Sequence, residues 1–380
     1  MTETDFILKD FSLENISNGS FIWKTPSNIA LVKYWGKQEP QIPENASISF
    51  TLDACFTLTT LEYKLKKESQ PEPVSGSAVE MLKQVQHDAS FEIYFEGEKK
   101  DDFKPKIATF FKRIEQYVPF LTEFEFVIKS ENSFPHSSGI ASSASGMGAL
   151  ALCVMSLEKA LNPGMTDEYF NKKASFLARL GSGSACRSVE GPLIVWGNHP
   201  EIEGSSELFG VQFPYKVHDN FKNYQDTILL VDEGEKQVSS TVGHNLMHNH
   251  PFAKQRFQQA NSNISKISKV LQSGDLSAFI AIVESEALSL HAMMMTSNPY
   301  FILMKPDTLK IINEIWDFRA QTDSNICFTL DAGANVHVLF PEKEKETVNN
   351  FIKSNLIQFC QENHYICDSI GEGATSIFNL

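Results

Sequence analysis

The stretch that most restricts how this chain can fold is Pro135-His136-Ser137-Ser138-Gly139-Ile140-Ala141-Ser142-Ser143-Ala144-Ser145-Gly146, followed at once by Met147–Leu161, a run of good helix formers with no proline before Pro163. The two read as a loop feeding a helix N-terminus. Such a terminus offers backbone N–H groups that lack intrahelical partners, together with the positive end of the helix dipole. Gly, Ala and Ser let an anion approach that backbone closely.

Two more segments set small hydroxylated residues beside a single charge. Gly181-Ser182-Gly183-Ser184-Ala185-Cys186-Arg187-Ser188 follows the helical stretch Asp167–Leu180. Its glycines permit a tight turn offering backbone N–H groups and the hydroxyls of Ser182 and Ser184. Arg187, the only charge there, has a planar guanidinium suited to gripping a carboxylate or phosphate in two places. The Ser-Gly-Ser pattern favours this over a helix cap with a surface arginine. Asp331-Ala332-Gly333-Ala334-Asn335 lies between the strand-like Cys327–Leu330 and Val336–Phe340. A lone Asp-x-Gly is by default a turn former, so a chemical role there rests on company. In Pro26–Lys37, Lys33 and Lys37 flank Tyr34-Trp35-Gly36, and they either face one pocket together or end a strand in solvent. Lys236-Gln237-Val238-Ser239-Ser240-Thr241 adds a cation and hydroxyls, with the same two readings. Together these are the parts of a phosphate-handling site, with ATP the natural candidate for the Ser-rich loop.

Charge sets a condition on such a site. With 33 Lys and Arg against 47 Asp and Glu, the net charge is −14, which argues against nucleic acid as a partner. Cations must therefore be concentrated in one pocket, which is feasible because the Debye length is only about 8 Å. A chain of 380 residues exceeds the size at which one core keeps growing, so two domains are expected. Cys55, Cys153, Cys186, Cys327, Cys360 and Cys367 form no CxxC pair, which points to a reduced, cytoplasmic protein. Met1–Ser20 lacks an apolar signal-peptide segment and no run of about 18 apolar residues occurs, so neither secretion nor a membrane partner is expected.

Strand-like and helical stretches alternate without internal repeat. Phe21–Lys33, Ala46–Tyr63, Phe124–Ile128 and Thr227–Val231 read as strands. Phe103–Val118, Asp167–Leu180, Phe257–Leu271 and Leu276–Met294 have helical apolar spacing. Leu58–Leu65 and Phe91–Phe95 are expected to pair as an antiparallel hairpin, with the polar Ser69–Ala89 between them as a surface insertion or, less favoured, a lid. Gly, Pro, Asn and acidic residues cluster over Trp196–Ser206. The division is therefore an extension, 1–20, a first domain, 21–198, with insertion 69–89, and a second domain, 199–380. His244, His248 and His250 lack a Cys or acidic partner and read as a solvated face, not a metal site. Met293-Met294-Met295 reads as core filling.

Taken in order, Asn28–Lys37, Phe134–Gly146, Leu180–Ser188, Lys236–Gly243 and Thr329–Asn335 resemble the diphosphomevalonate decarboxylases, a branch of the GHMP kinase superfamily. The strings NIALVKYWGK, GSGSACRS and DAGAN carry the resemblance, which covers most of the chain. It implies an α+β fold of two domains, the first of ribosomal protein S5 domain 2 type and the second ferredoxin-like, with the site in the cleft between them. It also implies ATP, Mg²⁺, mevalonate 5-diphosphate as substrate, and a homodimer. By motif, Asp331 resembles the catalytic carboxylate facing the 3-hydroxyl, and Arg187 the residue that binds the substrate carboxylate while held by Asn28. Lys33, Tyr34, Lys37, Ser182, Ser184, Ser240 and Thr241 match substrate-side positions. Ser138, Gly139, Ala141, Ser142, Ser143 and Ser145 match the ATP phosphate loop, and Lys236 is placed with ATP. Thr241 stands where some bacterial members have Arg, and Ala334 replaces the Pro of the commoner DAGPN.

The competing activities are decarboxylation of mevalonate 5-phosphate and 3-phosphorylation without decarboxylation. Kinase-only relatives are expected to lack the Asp and Arg pair present here. A non-catalytic binding protein of the same fold is disfavoured by the intact set of Asp331, Arg187, Lys33 and the phosphate loop.

Overall fold

The computed structural model describes residues 1–14, 16–66, 89–136, 139–234 and 240–377. The first half contains β1 (Gly19–Val32), β2 (Lys37–Gln38), β3 (Ile42–Pro43), β4 (Ser47–Leu65), β5 (Ser90–Phe95), β6 (Glu98–Lys99), α1 (Lys104–Ile114), β7 (Phe124–Asn132), α2 (Ser142–Leu161), α3 (Asp167–Gly181), β8 (Leu193–Trp196) and β9 (Val211–Gln212). The second holds β10 (Gln225–Leu229), α4 (Ser240–Asn245), α5 (Ala253–Ser273), α6 (Leu276–Met295), α7 (Pro306–Thr322), β11 (Cys327–Thr329), β12 (Val336–Phe340), α8 (Lys345–Phe351), β13 (Tyr365–Ser369) and β14 (Thr375–Ser376). The architecture is α+β, and α7 and α8 were not anticipated.

The large sheet has the order β14-β1-β4-β7-β5-β6, with β8 on β4 and β9 on β8. The expected hairpin is not there: β7 lies between β4 and β5, antiparallel to the first and parallel to the second. The alternation Phe124, Phe126, Ile128 buries three apolar side chains, which suits β7 to an interior position of the sheet. Of the expected insertion 69–89, all but Ala89 lies outside the described residues. Pairing of β9 with β8 carries this sheet past the expected boundary at 198, to Gln212. The chain also returns to the same sheet at its end, where β14 pairs with β1. The second sheet is antiparallel, ordered β11-β12-β10-β13.

One core packs Phe110, Phe126, Leu150, Val154 and Phe176 beneath the large sheet. Phe6 joins it with no exposed surface, stacked on Phe176 at 4.5 Å, so the expected extension is part of the domain. A second core spans both sheets, joining Ile29, Phe50, Ile228, Ile264 and Phe279. The halves are also clamped by Asp368 on β13. Between Pro26↔Phe56 and Asn28↔Thr51 the β1–β4 register slips, and the extra residues of β4 turn their N–H groups to this carboxylate. It accepts from Asp53, Ala54 and Cys55 at 2.9, 2.8 and 2.8 Å. Helices α2 and α6 are long and apolar enough to cross a bilayer, but both are mostly buried within the fold.

Candidate active site

The two Ser-rich segments meet at one cavity of about 780 Å³, lined by both halves of the chain. Helix α2 begins at Ser142 rather than after Gly146, with Ala141 before it at φ 47° and Gly139 at φ 88°. The left-handed φ at Gly139 is one that glycine adopts without strain. Gly139, Ala141, Ser142, Ser143 and Gly146 line the cavity. Ser145 does not. Its hydroxyl is buried against that of Thr57 at 2.6 Å and the Ser142 carbonyl at 3.3 Å, a consequence of helical phase once the helix starts at Ser142. Ser138 and Lys236 lie outside the described residues, as do the side chains of Ser240 and Thr241.

After α3 the chain makes a short 3-10 turn, Gly183–Arg187. Gly183 is required there, because a Cβ would come within 2.9 Å of the Tyr34 hydroxyl. Ser182 and Ser184 line the cavity, and the Ser182 hydroxyl lies 3.3 Å from that of Ser143. Arg187 is 3% exposed and lies over the Trp196 ring. Its Nε donates to Asn28 Oδ1 at 3.3 Å and its Nη1 to Ser47 Oγ at 2.7 Å. Asn28 Nδ2 in turn donates to Ser188 Oγ at 2.7 Å and the Ser184 carbonyl at 3.2 Å. Burial holds the Arg187 pKa below its ordinary value.

From the other half comes Asp331, on the loop after β11. Its carboxylate accepts from Lys33 Nζ at 3.1 Å. Lys33 is buried, with Asp331 at 26% exposure on the cavity side. Burial pulls the Lys33 pKa down and Asp331 opposes the shift. Lys37 Nζ donates to Gln41 Oε1 at 2.9 Å and sits 3.4 Å from Glu39 Oε1. Glu39 also pairs with Arg113 at 2.8 Å. Tyr34 presents a buried hydroxyl with no hydrogen-bond partner among the described residues, and desolvation raises its pKa so that it stays a phenol.

His244 corrects the reading of its histidine group. It is 8% exposed, lies against the rings of Tyr34 and Trp35, and accepts the Gly36 N–H on Nδ1 at 3.0 Å. Burial lowers its pKa to about 3, so it is neutral. His250 is likewise buried, with Nε2 3.1 Å from the Met293 carbonyl; only His248 is solvated. Met293 and Met294 are core, while Met295 is exposed.

The far half of the cavity lies largely outside the sequence motifs. Ile93, Phe95, Phe103, Ile107 and His136 form an apolar wall, in which the His136 ring lies 5.0 and 5.4 Å from those of Phe95 and Phe103. On the same wall Asn132 holds its Oδ1 against Thr57 at 2.7 Å and leaves Nδ2 buried without a partner among the described residues. Among the described residues the lining holds five cations, Lys33, Lys37, Lys106, Arg113 and Arg187, and two carboxylates, Glu39 and Asp331. An apolar wall joined to a cationic, hydroxyl-rich end suits a nucleotide and a second anionic ligand.

Residues 25–207 match the family profile of the diphosphomevalonate decarboxylase-like N-terminal domain, and residues 227–374 that of the mevalonate 5-diphosphate decarboxylase C-terminal domain. The chain is 28% identical to diphosphomevalonate decarboxylase mvd1 of Aspergillus fumigatus, over 87% of this chain and 79% of that one. It is 29% identical to diphosphomevalonate decarboxylase of Candida albicans, covering 85% and 84%. Among solved structures, MDDEF in complex with MVAPP, AMPPCP and magnesium superimposes with a TM-score of 0.77 at 26% identity, over 96% of this chain and 100% of that one. Mevalonate diphosphate decarboxylase from Staphylococcus aureus has the same fold, at a TM-score of 0.76 and 24% identity, covering 95% and 98%.

Proposed function

The chain belongs to the diphosphomevalonate decarboxylase family, and we propose that it uses ATP to convert mevalonate 5-diphosphate into isopentenyl diphosphate, ADP, phosphate and CO₂. The observation that carries this reading is the meeting of Lys33 and Asp331, 3.1 Å apart, with an Asn28-anchored Arg187 and two Ser-rich anion loops in a single cavity.

Asp331 accepts the proton of the tertiary 3-hydroxyl as that oxygen attacks the γ-phosphorus and the bond to ADP breaks. Lys33 pairs with Asp331 and faces the developing charge. The new phosphate ester makes a good leaving group of a poor one. When the C3–O bond breaks, the pair of the C–carboxylate bond forms the alkene and CO₂ departs. Arg187 orients that carboxylate, gripping it firmly enough to place it but not so firmly that it cannot leave. Lys37, Tyr34, Ser182 and Ser184 bind the diphosphate, the start of α2 binds the ATP phosphates, and Phe95, Phe103 and His136 take the adenine.

No group of three or more His, Cys, Asp or Glu among the described residues could hold a metal ion. Mg²⁺ carried by a nucleotide needs no such cage, since it keeps waters and phosphate oxygens and takes one or two protein groups. The hydroxyls of Ser142 and Ser143 at the start of α2 would fit that part, and the ion would neutralise phosphate charge. Supplying purified protein with ATP and either mevalonate 5-diphosphate or the 5-phosphate, while measuring ADP and CO₂ together, tests the reading. Equal release of both with the diphosphate is expected. ADP without CO₂, or turnover of the monophosphate alone, refutes it.

A further inference from the structure

Lys33 and Asp331 come from different halves of the chain, yet their side chains must keep a fixed separation for the reaction to work. Strand β1 ends at Val32, so the ladder no longer serves the peptide groups of Lys33. Side chains take them over. The Lys33 N–H donates to Glu286 Oε2 at 2.8 Å, and its carbonyl accepts from Asn45 at 3.0 Å and Arg256 at 3.4 Å. Glu286 has no exposed surface. Its other donors are Asn263 at 2.6 Å and the guanidinium of Arg256, paired through both oxygens. Farther along the same helix, His291 is 1% exposed and its Nε2 lies 3.1 Å from the Asp331 backbone carbonyl. A carbonyl only accepts, so the imidazole donates from Nε2. Neither Glu286 nor His291 lines the cavity.

We propose that α6 is the gauge that sets the Lys33–Asp331 separation, Glu286 fixing the backbone of one and His291 the backbone of the other. Both are positioning residues, and the role rests on the reading above that Lys33 and Asp331 perform the phosphoryl transfer. Along a helix, five residues span about 7.5 Å, so one rigid element references both groups. Displacement of a reacting group by about 1 Å can cost on the order of 10² in rate, which is what the gauge prevents. Glu286 has an electrostatic consequence as well. The Lys33 ammonium is faced by Asp331 from the loop after β11, Glu286 and His291 from α6, Arg187 from the turn after α3 and Asp226 from β10, while Arg256 from α5 meets the Lys33 carbonyl. Burial opposes its proton, while Asp331 and Glu286 retain it. Burial also lowers His291 to about 4, so His291 is a neutral donor.

The test uses the full-length protein with ATP and mevalonate 5-diphosphate. His291→Phe fills the space without a donor, whereas His291→Gln can place an N–H near Nε2. The first is expected to lose about 10- to 100-fold in kcat with KM within about threefold, and the second to recover most of the loss. Glu286→Gln is expected to move the alkaline limb of the kcat pH profile down by about half a unit or more. If that variant does not fold, the His291 pair decides alone. Unchanged kcat in His291→Phe, equal losses in both His291 variants, or an unmoved alkaline limb in folded Glu286→Gln overturns the proposal. Failure of the unmodified protein to release ADP and CO₂ would instead overturn the function on which it rests.

Discussion

Asp331→Asn separates chemistry from architecture because the bonds that shape its loop come from the Asp331 main chain. The backbone carbonyl accepts from Gly333 N–H at 2.7 Å and from His291 at 3.1 Å, and an amide side chain alters neither. What changes is the carboxylate. An amide cannot take the hydroxyl proton, a loss of about 10²–10⁴ in rate where a general base acts. It also strips a buried Lys33 of its partner at 3.1 Å, leaving a cation that burial already disfavours beside Arg187. The two effects together predict a fall in kcat of at least about 10³, equivalent to about 4 kcal/mol of transition-state stabilisation. Calorimetry should show ATP and mevalonate 5-diphosphate binding within a few-fold of the unmodified protein, while coupled assays detect neither ADP nor CO₂ at the normal rate. If Asp331 only forms a turn, Asn serves equally well. A kcat within about tenfold of normal would therefore refute the chemical role.

Replacing Lys37 with Met should raise KM for the substrate more than it lowers kcat, because an ammonium that grips a non-reacting group serves ground and transition states alike; an unchanged KM removes Lys37 from the site. Phe6→Ala should cost about 3–5 kcal/mol of stability in chemical denaturation, since the ring is fully buried against Phe176, and should leave kcat at low temperature near normal. A loss below about 1 kcal/mol would show that the N-terminal segment is dispensable. His244 and His291 have folded pKa values lowered from 6.5 to about 3 and about 4. As pH falls below about 6.5 the unfolded chain binds protons that the folded one does not, so stability drops, by about 2 kcal/mol per histidine between pH 7 and 5. His244→Asn should remove about half of that slope, and a slope the same as that of the unmodified protein would contradict burial of a neutral imidazole.

What the sequence disclosed was whatever depends on neighbours along the chain. The Ser-rich run before Met147, the Gly-Ser turn around Arg187 and the Asp331 loop are local devices, and their small residues show that a backbone must come close to something. Contacts between distant segments left weaker traces. The hairpin error arose because Leu58–Leu65 and Phe91–Phe95 are both good strands, and nothing local says that Phe124–Asn132 will insert between them. Ser145 was misplaced for want of a helix start: with Ser142 as the first helical residue, Ser142, Ser143 and Gly146 share a face and Ser145 falls beside it. Three histidines within seven residues resemble a polar face, which hides the burial of His244. The overlooked signal was Gly243, where a Cβ would lie 2.5 Å from Trp35, so that α4 packs down and carries His244 with it. The aromatic wall could not be assembled from sequence at all, since Phe95, Phe103 and His136 belong to separate segments.

The charge distribution explains how a chain with net charge −14 can take two polyanionic ligands. The cavity lining runs the other way, with five cations against two carboxylates among the described residues, and screening over about 8 Å lets the pocket act apart from the acidic exterior. Burial has a cost that shapes its use. Lys33 and Arg187 are both desolvated, and both have their pKa values lowered for that reason. Charge in such surroundings is poorly satisfied until an anion arrives, and a phosphate or carboxylate placed there recovers interaction that bulk water would have screened. Asp331 and Glu39 occupy part of that role beforehand, Asp331 against Lys33 and Glu39 between Lys37 and Arg113. Glu39 is 61% exposed and so gives way to a diphosphate at little loss. Asp331, tied through its backbone to α6, stays in place, which under the proposed reaction leaves its carboxylate to act on the substrate hydroxyl.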